Sequence, residues 1–160
     1  MATHVVIGDP HCTPKASNER FLWAGRLAAD VRATHIICMG DFCSMDSLSS
    51  YDKKKKSFEG RRYQKDMQHS HEALSLFNKG LGKHKARKIM LHGNHEDRID
   101  RFVDENPELD GTLKISDLNF KQYGWQEVPY KQNKVLNGVY YAHHFPSGIL
   151  GSAISGENIA

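Results

Sequence analysis

The sequence predicts an α/β fold, a layered sheet of mixed strand direction with helices packed against it. Short apolar runs ending in glycine or histidine alternate with amphipathic stretches at helical spacing, the pattern of strands joined by covering helices. The run Ile36-Ile37-Cys38-Met39 is continuously apolar, as suits a strand covered on both faces. Asn137-Gly138, set between Val135-Leu136 and Val139-Tyr140-Tyr141-Ala142, marks a tight antiparallel hairpin.

In chain order, Val5-Val6-Ile7 is the first expected strand. Residues 18–32 follow as a helix, with Ser17 or Asn18 at its cap and Phe21, Leu22, Gly25, Leu27 and Ala28 on one apolar face. The second strand is 35–39, and 44–51 is polar and turn-like. A long helix is expected from 58 to about 81, with Tyr63, Met67, Leu74, Phe77 and Leu81 at helical spacings and Gly80 and Gly82 as stop signals. Residues 88–92 form a third strand, and 96–106 a short charged helix ending before Pro107. Beyond Leu109 the pattern weakens to a helical turn at 116–123, a strand at 125–128, the hairpin, and a helix opening at 155–160.

At 160 residues the chain is read as one domain, 1–160, large enough to bury a substantial core. A formal charge of +3 is too weak alone to imply a nucleic-acid partner. Three cysteines, Cys12, Cys38 and Cys43, lack disulfide or zinc spacing and read as buried filler in a reducing compartment. With neither a leader pattern nor a long apolar run, the expectation is a cytoplasmic protein without a membrane partner.

The chemistry-bearing residues follow the apolar runs. Asp9-Pro10-His11, Gly40-Asp41, Gly93-Asn94-His95-Glu96 and His143-His144 each stand at the end of an expected strand. Carboxylate, imidazole and amide oxygen gathered from strand ends can hold two divalent cations a few ångströms apart. Such a pair binds a phosphate, lowers the pKa of a bridging water and stabilises charge on phosphoryl oxygens.

These motifs, in this order over residues 1 to about 150, resemble those of calcineurin-like metallophosphoesterases, the small phage and bacterial members above all. The resemblance implies a four-layer α/β/β/α sandwich with two metals at the sheet edge. It implies that Asp9 and His11 bind the first metal, that Asp41 bridges, and that Asn94 and His143 bind the second. It makes His95 the catalytic residue, a general acid or charge stabiliser at the leaving group. Manganese, iron, zinc and nickel are the metals it implies, with manganese favoured.

Two departures stand out. Where the family often carries an acid that orients the catalytic histidine, this chain has Ser44, with Asp46 or Asp97 as substitutes. The family's closing Gly-His-x-His motif is absent, since no histidine follows His144. The expectation is therefore a C-terminally incomplete sandwich, a fragment whose metals each lack one imidazole.

The other basic and histidine residues admit plainer roles. Arg98 and His144 are candidates for substrate contact, against a salt bridge for Arg98 and packing for His144. His92 is expected to pack at a strand end, and His69, His71 and His84 on solvated helix faces. Lys53-Lys54-Lys55-Lys56 reads as a solvated loop or a phosphate-backbone contact, with Tyr51, Phe58 and Tyr63 available to stack on bases. The expected function is metal-dependent hydrolysis of a phosphate ester by a metal-bound hydroxide. A phosphodiester is slightly favoured, with nucleic acid in range. The alternatives are a phosphomonoesterase or protein phosphatase, or an inactive remnant serving as an interaction module.

Overall fold

The computed structural model describes residues 2–143, so His144 and the helix opening expected at 155–160 lie outside the described residues. Four strands form a parallel sheet in chain order: β1 (His4–Ile7), β2 (His35–Cys38), β3 (Arg87–Leu91) and β4 (Trp125–Val128). A separate antiparallel pair, β5 (Asn133–Leu136) and β6 (Val139–Ala142), is the expected hairpin. Both strand directions thus occur, but in different sheets among the described residues.

Strand order 1-2-3-4 with right-handed crossovers puts every connection on one side of the sheet. The two faces are covered accordingly. Ile36, Cys38, Met90 and Trp125 pack with the helices, whereas Ile37, Ile89, Leu91 and Val128 pack with Leu136 and Tyr141 of the hairpin. The alternation is the period-two geometry of a strand. It explains why β2 reads as an unbroken apolar run: Ile36 and Ile37 face opposite ways and both are 0% exposed.

The helical layer consists of α1 (Glu19–Asp30) and α2 (Tyr63–Leu81), packed against each other. Their axes meet through two glycines. A Cβ on Gly25 would land on Phe77 O and 2.8 Å from Leu81 N, and one on Gly80 would land on Leu22 O and 3.0 Å from Arg26 N. Gly80 therefore lies inside α2 as a contact point and does not stop it. The helix ends at Gly82, whose φ of +60° and N–H bond to Asn78 O close the last turn.

α2 also begins later than its apolar spacing suggests. Phe58 closes a 3₁₀ turn, Lys56–Phe58, and Gly60 takes φ +78°. Arg61 fixes this break by donating to Ser57 O at 3.0 Å, Asp46 O at 3.1 Å and the Asp52 carboxylate at 2.8 Å. A short α3 (Arg98–Glu105) follows β3, and two 3₁₀ segments, Ile115–Leu118 and Phe120–Tyr123, replace the expected helical turn before β4.

The helix-face histidines are not simply solvated. His69, His71 and His84 each place Nε2 on a distant carbonyl: Ala16 O at 3.3 Å, Asp117 O at 2.8 Å and Ala33 O at 2.7 Å. Each imidazole meets a backbone carbonyl more than forty residues away in the chain. Among the described residues no helix is long and apolar enough to cross a membrane.

The glycine contact has a sign that tests it. In an open helix Gly→Ala stabilises by about 1 kcal/mol. Here Gly25→Ala or Gly80→Ala must separate two backbones, with an expected loss of at least about 2 kcal/mol. For a chain of this size that lowers the melting temperature by about 4–8 °C. Any rise in the thermal melt of either variant would show that the helices do not touch there.

Candidate metal centre

Because β1, β2 and β3 are parallel and in register, with Ile7 beside Cys38 and Cys38 beside Met90, their C-terminal ends share one edge. The loops leaving that edge run side by side. His11 N donates to Asp41 O at 3.0 Å, Cys12 N to Phe42 O at 2.7 Å and Ser44 N to Cys12 O at 2.9 Å. Arg20 of α1 holds the first loop from outside, donating to Pro10 O at 2.9 Å and His11 O at 3.1 Å.

This close approach accounts for two glycines. A Cβ on Gly40 would lie 2.7 Å from His143 Nδ1 and 2.8 Å from Gly93 N, and one on Gly93 would fall on the Asp41 carboxylate and backbone nitrogen. His11 and Asp41 both take left-handed backbone, at φ 45° and 47°. Such angles are uncommon outside glycine and persist where surrounding contacts over-determine them.

Glu96 is the contact that does so. Its side chain is 0% exposed, and its two oxygens accept three backbone N–H groups: Asp41 N at 3.0 Å, Gly93 N at 2.7 Å and Cys43 N at 3.1 Å. Burial pushes its carboxyl up to about 7, against the pull of the N–H donors from Cys43 and Gly93. One carboxylate thereby ties the loop after β2 to the loop after β3.

Two ligand clusters form around Asp41. His11, Asp41 and His95 offer atoms that all lie within 4.8 Å of one another, and so do Asp9, Asp41 and His143. Asp41 Oδ2 faces His95 Nε2 at 3.8 Å and His11 Nε2 at 3.9 Å, while Oδ1 faces His143 Nε2 at 3.5 Å. Asn94 Oδ1 joins the second group, 3.1 Å from His143 Nε2. The shared carboxylate thus has one oxygen toward each cluster.

The outer hydrogen bonds fix the tautomers. His143 Nδ1 lies 2.7 Å from Met39 O and His95 Nδ1 lies 2.8 Å from Ser44 O. A carbonyl only accepts, so each Nδ1 carries a proton and each Nε2 faces inward, that of His143 toward Asn94 Oδ1 and that of His95 toward Arg98. Histidines that bind metals are held this way, by a backbone carbonyl on the outer nitrogen. In the second cluster an imidazole nitrogen, an amide oxygen and a carboxylate oxygen therefore converge. The donor set of imidazole, carboxylate and amide suits borderline divalent cations, so the residues fit the metals expected.

The six motif residues come together at this edge. Asp9 groups with His143, their nearest atoms 3.7 Å apart, and His11 turns to His95, their ring centroids 4.6 Å apart. The Ser44 question also has an answer. Its backbone carbonyl orients His95, whereas Asp46 pairs with Lys15 at 3.8 Å and Asp97 with Arg101 at 3.0 Å. Arg98 donates to Ser44 O at 2.8 Å and to His95 Nε2 at 3.0 Å, so its contacts are to the site and not to neighbouring acids. Burial, countered in part by Asp41, holds the His95 pKa below its ordinary value.

His92 packs as expected, 6% exposed and 3.1 Å from Glu127. The three cysteines are buried free thiols, and Cys12 is held well above the usual thiol range by its bond to Cys43 and by burial. Sequence reasoning included Glu96 in the Gly93-Asn94-His95-Glu96 motif but gave it no role of its own. Its signal was its place in that motif, directly after His95 at the entry to a helix.

The chain matches no protein-family model, and no curated protein matches it.

Glu96→Gln keeps the shape but offers one oxygen to three donors. The expected cost is about 1–3 kcal/mol, read as a lower urea midpoint. A midpoint equal to that of the wild type would mean that the loops are not held through this carboxylate.

Proposed function

We propose that this chain is a metal-dependent phosphoesterase binding two divalent cations, manganese first among manganese, iron, zinc and nickel. The observation that carries the proposal is the approach of two side-chain clusters, His11 with His95 and Asp9 with His143, to one shared carboxylate, Asp41, whose two oxygens face different clusters. Asp9, His11, Asp41, Asn94 and His143 would hold the metals. When bound, the cations would supply an activated water and neutralise charge on the phosphoryl oxygens.

The chain's own residues do the rest. Asp41 sets the spacing of the two sites, and Met39 O and Ser44 O keep His143 and His95 in the required tautomer. His95 stands beside the reacting phosphate to protonate or stabilise the leaving oxygen. Arg98, bonded to His95, extends a guanidinium to the phosphoryl group. A phosphodiester is favoured over a monoester because further cationic side chains continue away from Asn94. Three buried free thiols support a reducing, cytoplasmic setting. In this proposal the helices, the parallel sheet and the hairpin belong to a four-layer α/β/β/α sandwich.

Calorimetry with manganese chloride tests the site directly. The wild type should bind manganese and melt at a higher temperature in its presence. Asp41→Ala should bind at least about 100-fold more weakly, since even residues behind a ligand are worth about 10–100-fold. With manganese, bis(p-nitrophenyl) phosphate should be turned over faster than p-nitrophenyl phosphate, and His95→Ala should lower kcat by about 100-fold or more. Absence of both manganese binding and turnover would overturn the proposal and leave a non-catalytic module.

A further inference from the structure

Beside Asn94 opens a cleft of about 470 Å³, within the range that holds a small ligand. Its floor is one face of α3. Asp97, Arg98, Arg101, Phe102 and Glu105 line it at spacings of one and three residues, beginning next to the metal centre. From Arg98 to Glu105 the helix advances about 10 Å, the span of a phosphate plus a nucleoside. The facing walls come from the loop after β2, with Tyr51, and the loop after β4, with Tyr130 and Lys131.

The charges on this floor are arranged along its length. Asp97 is neutralised by Arg101 at 3.0 Å, and Arg101 also donates to Asn94 O at 2.9 Å. At the far end Lys53 reaches across, 3.6 Å from Glu105 and 5.1 Å from the centre of the Phe102 ring. Cationic groups thus stand at both ends, Arg98 near the metals and Lys53 at the exit, with exposed Lys54, Lys55 and Lys56 continuing outward. Tyr51, which also lines the cleft, is 80% exposed, a ring that the fold does not use as core.

An exposed aromatic ring in a cleft with cationic groups at both ends suits one chemistry: a base stacked on the ring with phosphates held by the cations. We propose that the cleft binds the nucleoside attached to the scissile phosphate, with Tyr51 as the stacking platform, so that the substrate is a nucleotide phosphodiester. The proposal rests on the phosphoesterase reading and names its substrate class. Arg98 takes the scissile phosphate. Lys53 and Lys131 take the next one along the chain.

Calorimetric binding of thymidine 5′-monophosphate and of inorganic phosphate to the manganese-loaded and metal-free protein tests this without turnover. The nucleotide should bind about tenfold tighter than phosphate, within what stacking one base contributes. Tyr51→Ala should remove that advantage and Tyr51→Phe should keep it; so exposed a residue can change without unfolding the chain. In turnover, the preference for the p-nitrophenyl ester of thymidine 5′-monophosphate over methyl p-nitrophenyl phosphate should fall about tenfold in Tyr51→Ala. Equal binding of nucleotide and phosphate, or an advantage that survives Tyr51→Ala, overturns the cleft assignment. Hydrolysis of both esters without preference overturns it while leaving the phosphoesterase standing. Tyr51-dependent nucleotide binding with no hydrolysis of either ester supports the cleft and overturns the phosphoesterase instead.

Discussion

Everything at the sheet edge depends on one buried carboxylate. Glu96 takes the backbone N–H groups of Asp41, Cys43 and Gly93 onto two oxygens, so two loops more than fifty residues apart in the chain are held as one surface. A carboxyl group in so enclosed a position is tolerated because hydrogen bonds replace the water it gives up. With Glu96 in place, Asp41 is locked at positive φ, and its own Oδ1 accepts His95 N at 2.9 Å. The positive φ of Asp41 is thus held by its own bonds to Glu96 and His95, and that of His11 by its bond to Asp41 O.

That frame explains how so many acceptors come to face one another. Asp41 is 5% exposed, and its carboxylate points at three imidazole nitrogens whose protons, where the outer bonds define them, lie on the far side of the ring. In a medium of low dielectric, such an arrangement gains strongly from a cation at its centre. Preorganisation by carbonyls, not by further acids, keeps the negative charge modest. Ser44 O serves His95 where a carboxylate would add another charge, and Arg98 shares the same oxygen.

The hairpin has two duties that meet in His143. Leu136 and Tyr141 cover the face of the sheet that the helices leave open. His4 of β1 anchors the hairpin through Tyr141 Oη at 2.6 Å and Asn137 Oδ1 at 3.0 Å. His143 follows directly after β6, so burying the second face of the sheet also delivers an imidazole to the Asp41 cluster. Packing and chemistry are joined there by a single residue of chain.

The strands and the hairpin were legible in the sequence because each depends on its own residues. β-branched runs and an Asn-Gly turn state their geometry locally, and β4 and β6 fall where the apolar pattern puts them. The identities of Asp9, His11, Asp41, Asn94, His95 and His143 were legible too, from residue types placed at strand ends. Tertiary structure alone decided which of them face each other, that Asp9 turns to His143 and His11 to His95, and that a backbone carbonyl holds His95. It also decided the late start of α2, set by Arg61 reaching Asp46 and Asp52, and the loop carbonyls taken by His69, His71 and His84. Periodicity records which face of an element is apolar. The partner of a polar atom is chosen only when segments distant in the chain are packed to within 3 Å or so of each other, as Glu96 packs two loops together.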